Sequence, residues 1–301
     1  MAGGENAEQL EGSVISARSV RKKQRLPRAL WMALGLLVLG AAAAVVLFLR
    51  QGEDGPRLYA RGAIVLSLDN GKTLYAHNPD ERLSPASMTK IMSMLLVFEQ
   101  IESGRLSYDQ QIRVSDRAAG TFGSKAGLRA GESLSVDALL KCVFLPSGSD
   151  AVLALAEHLY GSEEAFVEAM NAKARELGLK NTAFRNSIGL EEAGHYASPR
   201  DIAVIAKELV TKYPEVYAYS SLAEATIRRE DGTELHLKNT NDMLNVEGVN
   251  GLKTGSSPRG GYNLALTYRK DGKHLLIVTM GNQTPYFRRQ DNKTLLEYYA
   301  T

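Results

Sequence analysis

The chain has 301 residues, a formal net charge of +2 and 23% charged residues. That is enough chain for one sizeable domain, and its charge is too balanced to call for nucleic acid as a partner. The lone cysteine, Cys142, excludes an intrachain disulfide, and its setting in DALLKCVFL reads as a small buried hydrophobe. The five histidines show no H-E-x-x-H and no paired Cys/His spacing, so the pattern calls for no metal and no other cofactor.

Residues 1–28 are polar and rich in Gly, Glu and Arg, and read as a disordered cytoplasmic tail. Its end collects Arg21, Lys22, Lys23, Arg25 and Arg28. Ala29 to Leu49 follows without a charged residue, and its 21 residues at ~1.5 Å each match the ~30 Å core of a bilayer. The basic cluster before it places the N-terminus inside and everything after Arg50 outside, in a single-pass topology. A cleaved signal peptide is the alternative. Against it, the stretch is longer than a usual signal-peptide core and no good small-x-small site follows Leu49, although Ala41–Ala44 leaves a place for cleavage. Residues 50–57 read as a linker, and 58–301 as one globular domain.

Within that domain, two short strand patterns flank Asn70-Gly71, a hairpin signal. Ser87 to Glu102 is a Met- and Leu-rich helix ending near Gly104. SVDALLKCVFL and DAVLALAEHLYG are two more helices, separated by Pro146-Ser147-Gly148-Ser149. SEEAFVEAMNAKARELGL opens on an approximate capping pattern at Ser162, and SPRDIAVIAKELV opens with Ser198 as cap and Pro199 in the first turn. The period then changes. EATIRREDGTELHLKN alternates around Asp231-Gly232, and YNLALTYRKDGKHLLIVTMG around Asp271-Gly272, so both read as hairpins. LKTGSSPRGGYN is placed just before a strand, and YFRRQDNKTLLEYYA closes the chain as a helix. Strands at both ends with helices between them imply an α+β fold: an antiparallel sheet assembled from the two termini, with helices packed on it and a helical subdomain beside it.

Three short motifs carry chemistry in chain order. Ser87-Met88-Thr89-Lys90 is an S-x-x-K, Ser147-Gly148-Ser149 lies in a turn between helices, and Lys253-Thr254-Gly255 is a K-T-G. Each alone is weak, and the ordered set is specific. A serine hydroxyl needs a base, and Ser87 and Lys90 share a helix face at i, i+3. Lysine is a base only when neutral, so burial or a second cation such as Lys253 must depress its pKa. Ile91, Met92, Met94, Leu95 and Leu96 could supply burial. Ser147 could bridge protons between Lys90 and a leaving nitrogen, and Gly255 permits close approach of backbone to a ligand.

Read together with PSGSDAVLALAEHLYGSEEAFVEAMNAKARELGLKNT, GHYASPRDIA and VNGLKTG, the chain from about Tyr59 resembles the D-alanyl-D-alanine carboxypeptidases, the low-molecular-mass penicillin-binding proteins of the serine peptidase S11 type. The resemblance implies a β-lactamase/penicillin-binding-protein-like transpeptidase fold. It implies removal of the terminal D-Ala from peptidoglycan pentapeptide stems through an acyl-enzyme, with β-lactam antibiotics as covalent inhibitors. It implies Ser87 as nucleophile, Lys90 as general base and Ser147 as proton relay. Lys253 and Thr254 would meet the substrate's terminal carboxylate, and the N–H groups of Ser87 and Ser256 would form the oxyanion hole. Arg288 falls near the family's carboxylate-guiding arginine, with Arg289 and a solvated helix face left open. Localisation at the bacterial membrane, facing the wall, follows.

The chain departs from the family pattern at Ser149, where S-x-N carries asparagine. Serine offers one donor where an amide offers two, which bears on rate. The second β-rich domain and C-terminal anchor of many members are not expected here, the N-terminal helix serving instead. Two rival readings remain. A wall-binding protein could have lost turnover through Ser149, or the chain could be a class A β-lactamase, against which Glu191 and Glu192 lack the E-x-x-x-N spacing.

Overall fold

The structure, a computed structural model, describes residues 55–300. The predicted tail and membrane anchor lie outside the described residues, among which no helix is long and apolar enough to cross a membrane. Packing starts inside the stretch read as linker: Pro56 is buried and its carbonyl accepts from Tyr75 Oη at 3.0 Å.

Strand β1 (Gly62–Ser67) is buried at every position because it runs in the interior of the sheet with both faces covered. It turns at Asn70-Gly71, where Gly71 has φ +73, into the antiparallel β2 (Thr73–His77). A 3-10 turn, Ala86–Thr89, then leads into helix α1 (Lys90–Glu102). This helix buries residues all round, from Ile91 to Phe98, as a central core helix must. The sequence next forms β3 (Gln111–Arg113), α2 (Asp116–Ala119) and β4 (Ser133–Ser135), the two strands pairing as a small separate sheet.

Helices α3 (Val136–Phe144), α4 (Ser149–Tyr160), α5 (Glu163–Glu176), α6 (Pro199–Lys212) and the short α7 (Tyr217–Ser220) follow. Their boundaries obey local chemistry. Ser135, Ser162 and Ser198 each accept the amide three residues on, and Pro199 sits where its missing N–H costs nothing. The hairpin of β5 (Glu224–Arg228) and β6 (Glu234–Lys238) stands apart as a second two-stranded sheet.

The last third completes the main sheet with β7 (Val249–Ser257), β8 (Gly261–Lys270) and β9 (Lys273–Asn282), then α8 (Pro285–Tyr299), capped by Thr284. The strand order is β2-β1-β9-β8-β7, antiparallel throughout, which is the sheet from both ends that the sequence predicts. Alternate residues serve opposite faces. Ile64, Leu66, Leu276 and Val278 join the helical core with α1 and α6, while Val65, Leu264, Leu266 and Ile277 pack with Leu295 and Leu296 of α8. One correction concerns Lys253-Thr254-Gly255. The K-T-G lies inside β7 and not ahead of a strand, and β7 is an edge of the sheet.

Candidate active site

Ser87 sits in the 3-10 turn that starts α1, next to Ala86 with φ +47. That left-handed conformation costs a non-glycine residue roughly 1–3 kcal/mol and persists only where the surroundings impose it. Two glycines impose it. A Cβ on Gly255 of β7 would meet the Pro85 carbonyl oxygen at 2.6 Å, and one on Gly189 (φ +86) would lie 1.9 Å from that of Ala86. Asn263 of β8 holds the same turn, donating from Nδ2 to the Ser84 and Pro85 carbonyls at 3.0 and 3.3 Å while Oδ1 accepts from Gly281. His195 accepts the Arg185 amide at Nδ1, so Nε2 carries the proton and donates to Thr89 Oγ1 at 2.9 Å. Burial lowers its pKa to about 4 and keeps it neutral.

Lys90 is 1% exposed, and its Nζ lies 2.9 Å from Ser87 Oγ and donates to the Ile188 carbonyl at 2.8 Å. Burial drives its pKa well below the ordinary lysine value, the Lys253 charge pushes the same way, and Asp150 opposes both. An ion taken out of water costs several kcal/mol unless paired, and no carboxylate among the described residues bonds this ammonium, so the neutral amine is favoured. Lys253 is itself brought down to about 7 by burial and then by Arg288. Its Nζ donates to the Thr254 carbonyl, and Thr254 Oγ1 pairs with Thr240 Oγ1 at 2.6 Å.

The second motif is strained as well. Ser147 has φ +64, is buried, and its Oγ has no hydrogen-bond partner among the described residues. A buried polar atom left unpaired calls for a reason. Ser149 opens α4 and gives its amide to the Ser124 carbonyl at 2.7 Å. Asp150, fully buried, accepts from the amides of Ala126, Gly127, Leu128 and Ala151, which pins the 123–128 loop to this turn.

Ser87, Ser149, Ser256, Gly123, Gly189 and Glu191 line one hollow of about 420 Å³. Ser147, Lys253 and Thr254 are buried and do not line it, although Lys253 and Thr254 belong to the strand whose Ser256 does. The two arginines part company. Arg288 is buried, acts on Lys253, and bonds Asp242 at 2.7 Å while its Nε has no partner among the described residues. Arg289 is turned to the Asp242 carbonyl and to Asn245. The solvated-face alternative therefore does not describe Arg288.

The motifs do not reveal four contributors. Asp150, Asn263 and Thr240 stand outside any chemical motif. The 186–191 loop, whose Ser187 is held by Ser93 and Glu163, is anchored to the rest of the domain across long sequence separations. Its only local signal is Gly189 between apolar residues.

A serine with a buried lysine at its hydroxyl, on an antiparallel sheet flanked by helices, defines an active-serine hydrolase of the penicillin-binding-protein architecture. A family model described as D-alanyl-D-alanine carboxypeptidase, peptidase family S11, matches residues 50–284, and the chain belongs to that family. The Bacillus subtilis D-alanyl-D-alanine carboxypeptidase DacF is 40% identical over 252 residues, covering 82% of this chain and 64% of its own length. The chain is 32% identical to Escherichia coli DacC, over 86% of this chain and 67% of that one. Among solved structures, penicillin-binding protein 5 from Haemophilus influenzae superposes with a TM-score of 0.76 at 32% identity, over 82% of this chain and 72% of that chain. A Streptomyces DD-transpeptidase gives 0.76 at 28%, over 82% and 99%. The chain thus spans about two thirds of the curated relatives' length.

Proposed function

We propose that the protein is a serine-type D-Ala-D-Ala carboxypeptidase, removing the terminal D-Ala of peptidoglycan stem peptides. The observation that carries this reading is the 2.9 Å approach of Lys90 Nζ to Ser87 Oγ in a buried setting. Neutral Lys90 takes the Ser87 proton, and Oγ attacks the carbonyl of the penultimate D-Ala. The amides of Ser87 and Ser256 receive the developing oxyanion. The unpaired hydroxyl of Ser147 passes a proton to the leaving D-Ala nitrogen, and water then cleaves the ester. Lys253, Thr254 and Arg288 form the positive end that receives the substrate's carboxylate, which explains why two cations are buried close together. The edge of β7 lets the substrate's backbone add as a further strand. Penicillins, as acylating analogues of the same dipeptide, occupy the same site.

Residues 29–49 then anchor the protein in the bacterial membrane with the domain facing the wall. A reporter active only outside the cytoplasm, fused after Thr301, tests this, and silence there defeats it.

The function is tested by labelled penicillin and by D-Ala release from a pentapeptide. The label is expected on the Ser87 peptide and absent in Ser87→Ala. The acylation rate is expected to rise with pH through an apparent value below the ~10.4 of free lysine, shared by Lys90 and Lys253. Lys90→Arg stays charged and is expected to abolish acylation. Label on another peptide, or normal acylation by Lys90→Arg, overturns the assignment.

A further inference from the structure

We propose that Glu191 is a positioning residue: its carboxylate clasps the two walls of the groove together over Ser87 and sets the width an extended substrate must fit. The proposal rests on Ser87 being the nucleophile. One wall is the 186–191 loop, and the other is the end of β7 with its turn into β8. Glu191 Oε1 crosses between them, accepting from the Arg259 amide at 2.7 Å and the Gly260 amide at 3.1 Å. Gly260 also donates to Ser257 Oγ at 3.0 Å, and Ser257 Oγ lies 3.4 Å from the hydroxyl of Ser84, three residues before the nucleophile.

The strap closes a ring around the reacting serine. Its loop supplies the Ile188 carbonyl to Lys90 and presses Gly189 on the Ala86 carbonyl. Asn186 Oδ1 accepts from the amides of Gly189 and Leu190, so the loop keeps its own shape where it meets β7. Without Glu191, no other hydrogen bond among the described residues joins this loop to the 257–260 turn.

A carboxylate lining such a groove has a rival role, as the base that activates deacylating water. A base needs a free lone pair and raised basicity. Here one oxygen is already engaged by two amides. Burial pushes the carboxyl up, but hydrogen bonds from Ser257 and from the amides of Arg259 and Gly260 outweigh it and hold it below its usual range. That suits a permanently charged strap.

The test uses Glu191→Ala and Glu191→Gln in the full chain. It measures kcat and KM for D-Ala release from a diacylated tripeptide, the lifetime of the penicillin adduct, and the melting temperature. Loss of two charge-assisted bonds is expected to raise KM about ten-fold in Glu191→Ala, with kcat, adduct lifetime and melting nearly unchanged. Glutamine keeps the accepting oxygen and is expected to restore KM to within about three-fold of the parent. If the alanine variant does not fold, Glu191→Asp, one methylene short, is expected to show a smaller KM rise. An adduct in Glu191→Gln that acylates normally but persists much longer makes Glu191 the deacylating base and overturns the clasp. An unchanged KM in the alanine variant, or a KM rise that glutamine does not rescue, overturns it too. A parent protein that neither binds penicillin nor releases D-Ala removes the Ser87 reading itself, before any variant is compared.

Discussion

At the residue scale, the odd member of the site is Ser149. The family's asparagine would orient the scissile amide, and another amide side chain could in principle replace it. Neither nearby candidate is free. Asn186 has both ends committed to its own loop, and Asn263 bridges the Ser84–Pro85 carbonyls and Gly281. In the proposed reaction that leaves Ser149 with its single hydroxyl for the task. One orienting hydrogen bond is worth on the order of 1 kcal/mol, so Ser149→Asn is expected to raise kcat/KM several-fold on a D-Ala-D-Ala substrate. A fall in kcat/KM with unchanged melting would show a groove rebuilt around serine. The serine and lysine proposed as nucleophile and base, and the K-T-G, could be picked out because short motifs fix residue types at fixed spacing. Asp150 was not, since a single aspartate after a serine says nothing of the four amides it collects from another loop.

Among the elements, the turn before α1 depends on close packing by β7 and the 186–191 loop. At Gly189 the obstacle is backbone on both counts: φ is +86, and a methyl would lie 1.9 Å from a carbonyl oxygen. Gly189→Ala must push the loop off the Ser87 turn and carry the Ile188 carbonyl away from Lys90. Penicillin acylation is expected to fall by about a hundred-fold or more, the cost of a ~1 Å misplacement of a reacting group, while the far-UV spectrum stays native. Near-parent acylation would mean that the pinch is slack. The hairpins at Asn70-Gly71, Asp231-Gly232 and Asp271-Gly272 could be read from sequence because turn chemistry is local, and each of these glycines has positive φ. The K-T-G strand could not. Val249–Ser257 breaks the apolar alternation with Lys253, Thr254, Ser256 and Ser257. The three-residue β3 and β4 fall below any periodicity window.

On the scale of the whole molecule, the site has a thermodynamic cost. Lys253 is brought down to about 7 in the folded protein and titrates near 10.4 when unfolded. Between those values the unfolded chain binds more protons, so stability rises with pH, by up to about 1.4 kcal/mol per unit for one such group. Lys90 adds to the same slope. The urea midpoint is expected to climb from pH 7 to 9, and Lys253→Met is expected to flatten the climb while raising stability at pH 7. A parent midpoint that is level or falling over this range would contradict the lowered titration of these buried amines. The sheet, by contrast, draws no such cost and was foreseen from the order of the patterns alone.

That sheet brings the two ends of the described chain together. Gly55 lies against the Tyr75 ring and near the Tyr299 hydroxyl, and Tyr59 and Ala60 donate their amides to Asp291. Beginning and end meet on one helix, α8. Topologically the described domain is close to a closed ring, its first and last described residues being neighbours. A short peptide bridging Ala300 to Pro56, with new ends opened at the exposed Asp231-Gly232 turn, would leave the five strands, their register and the groove around Ser87 as they are.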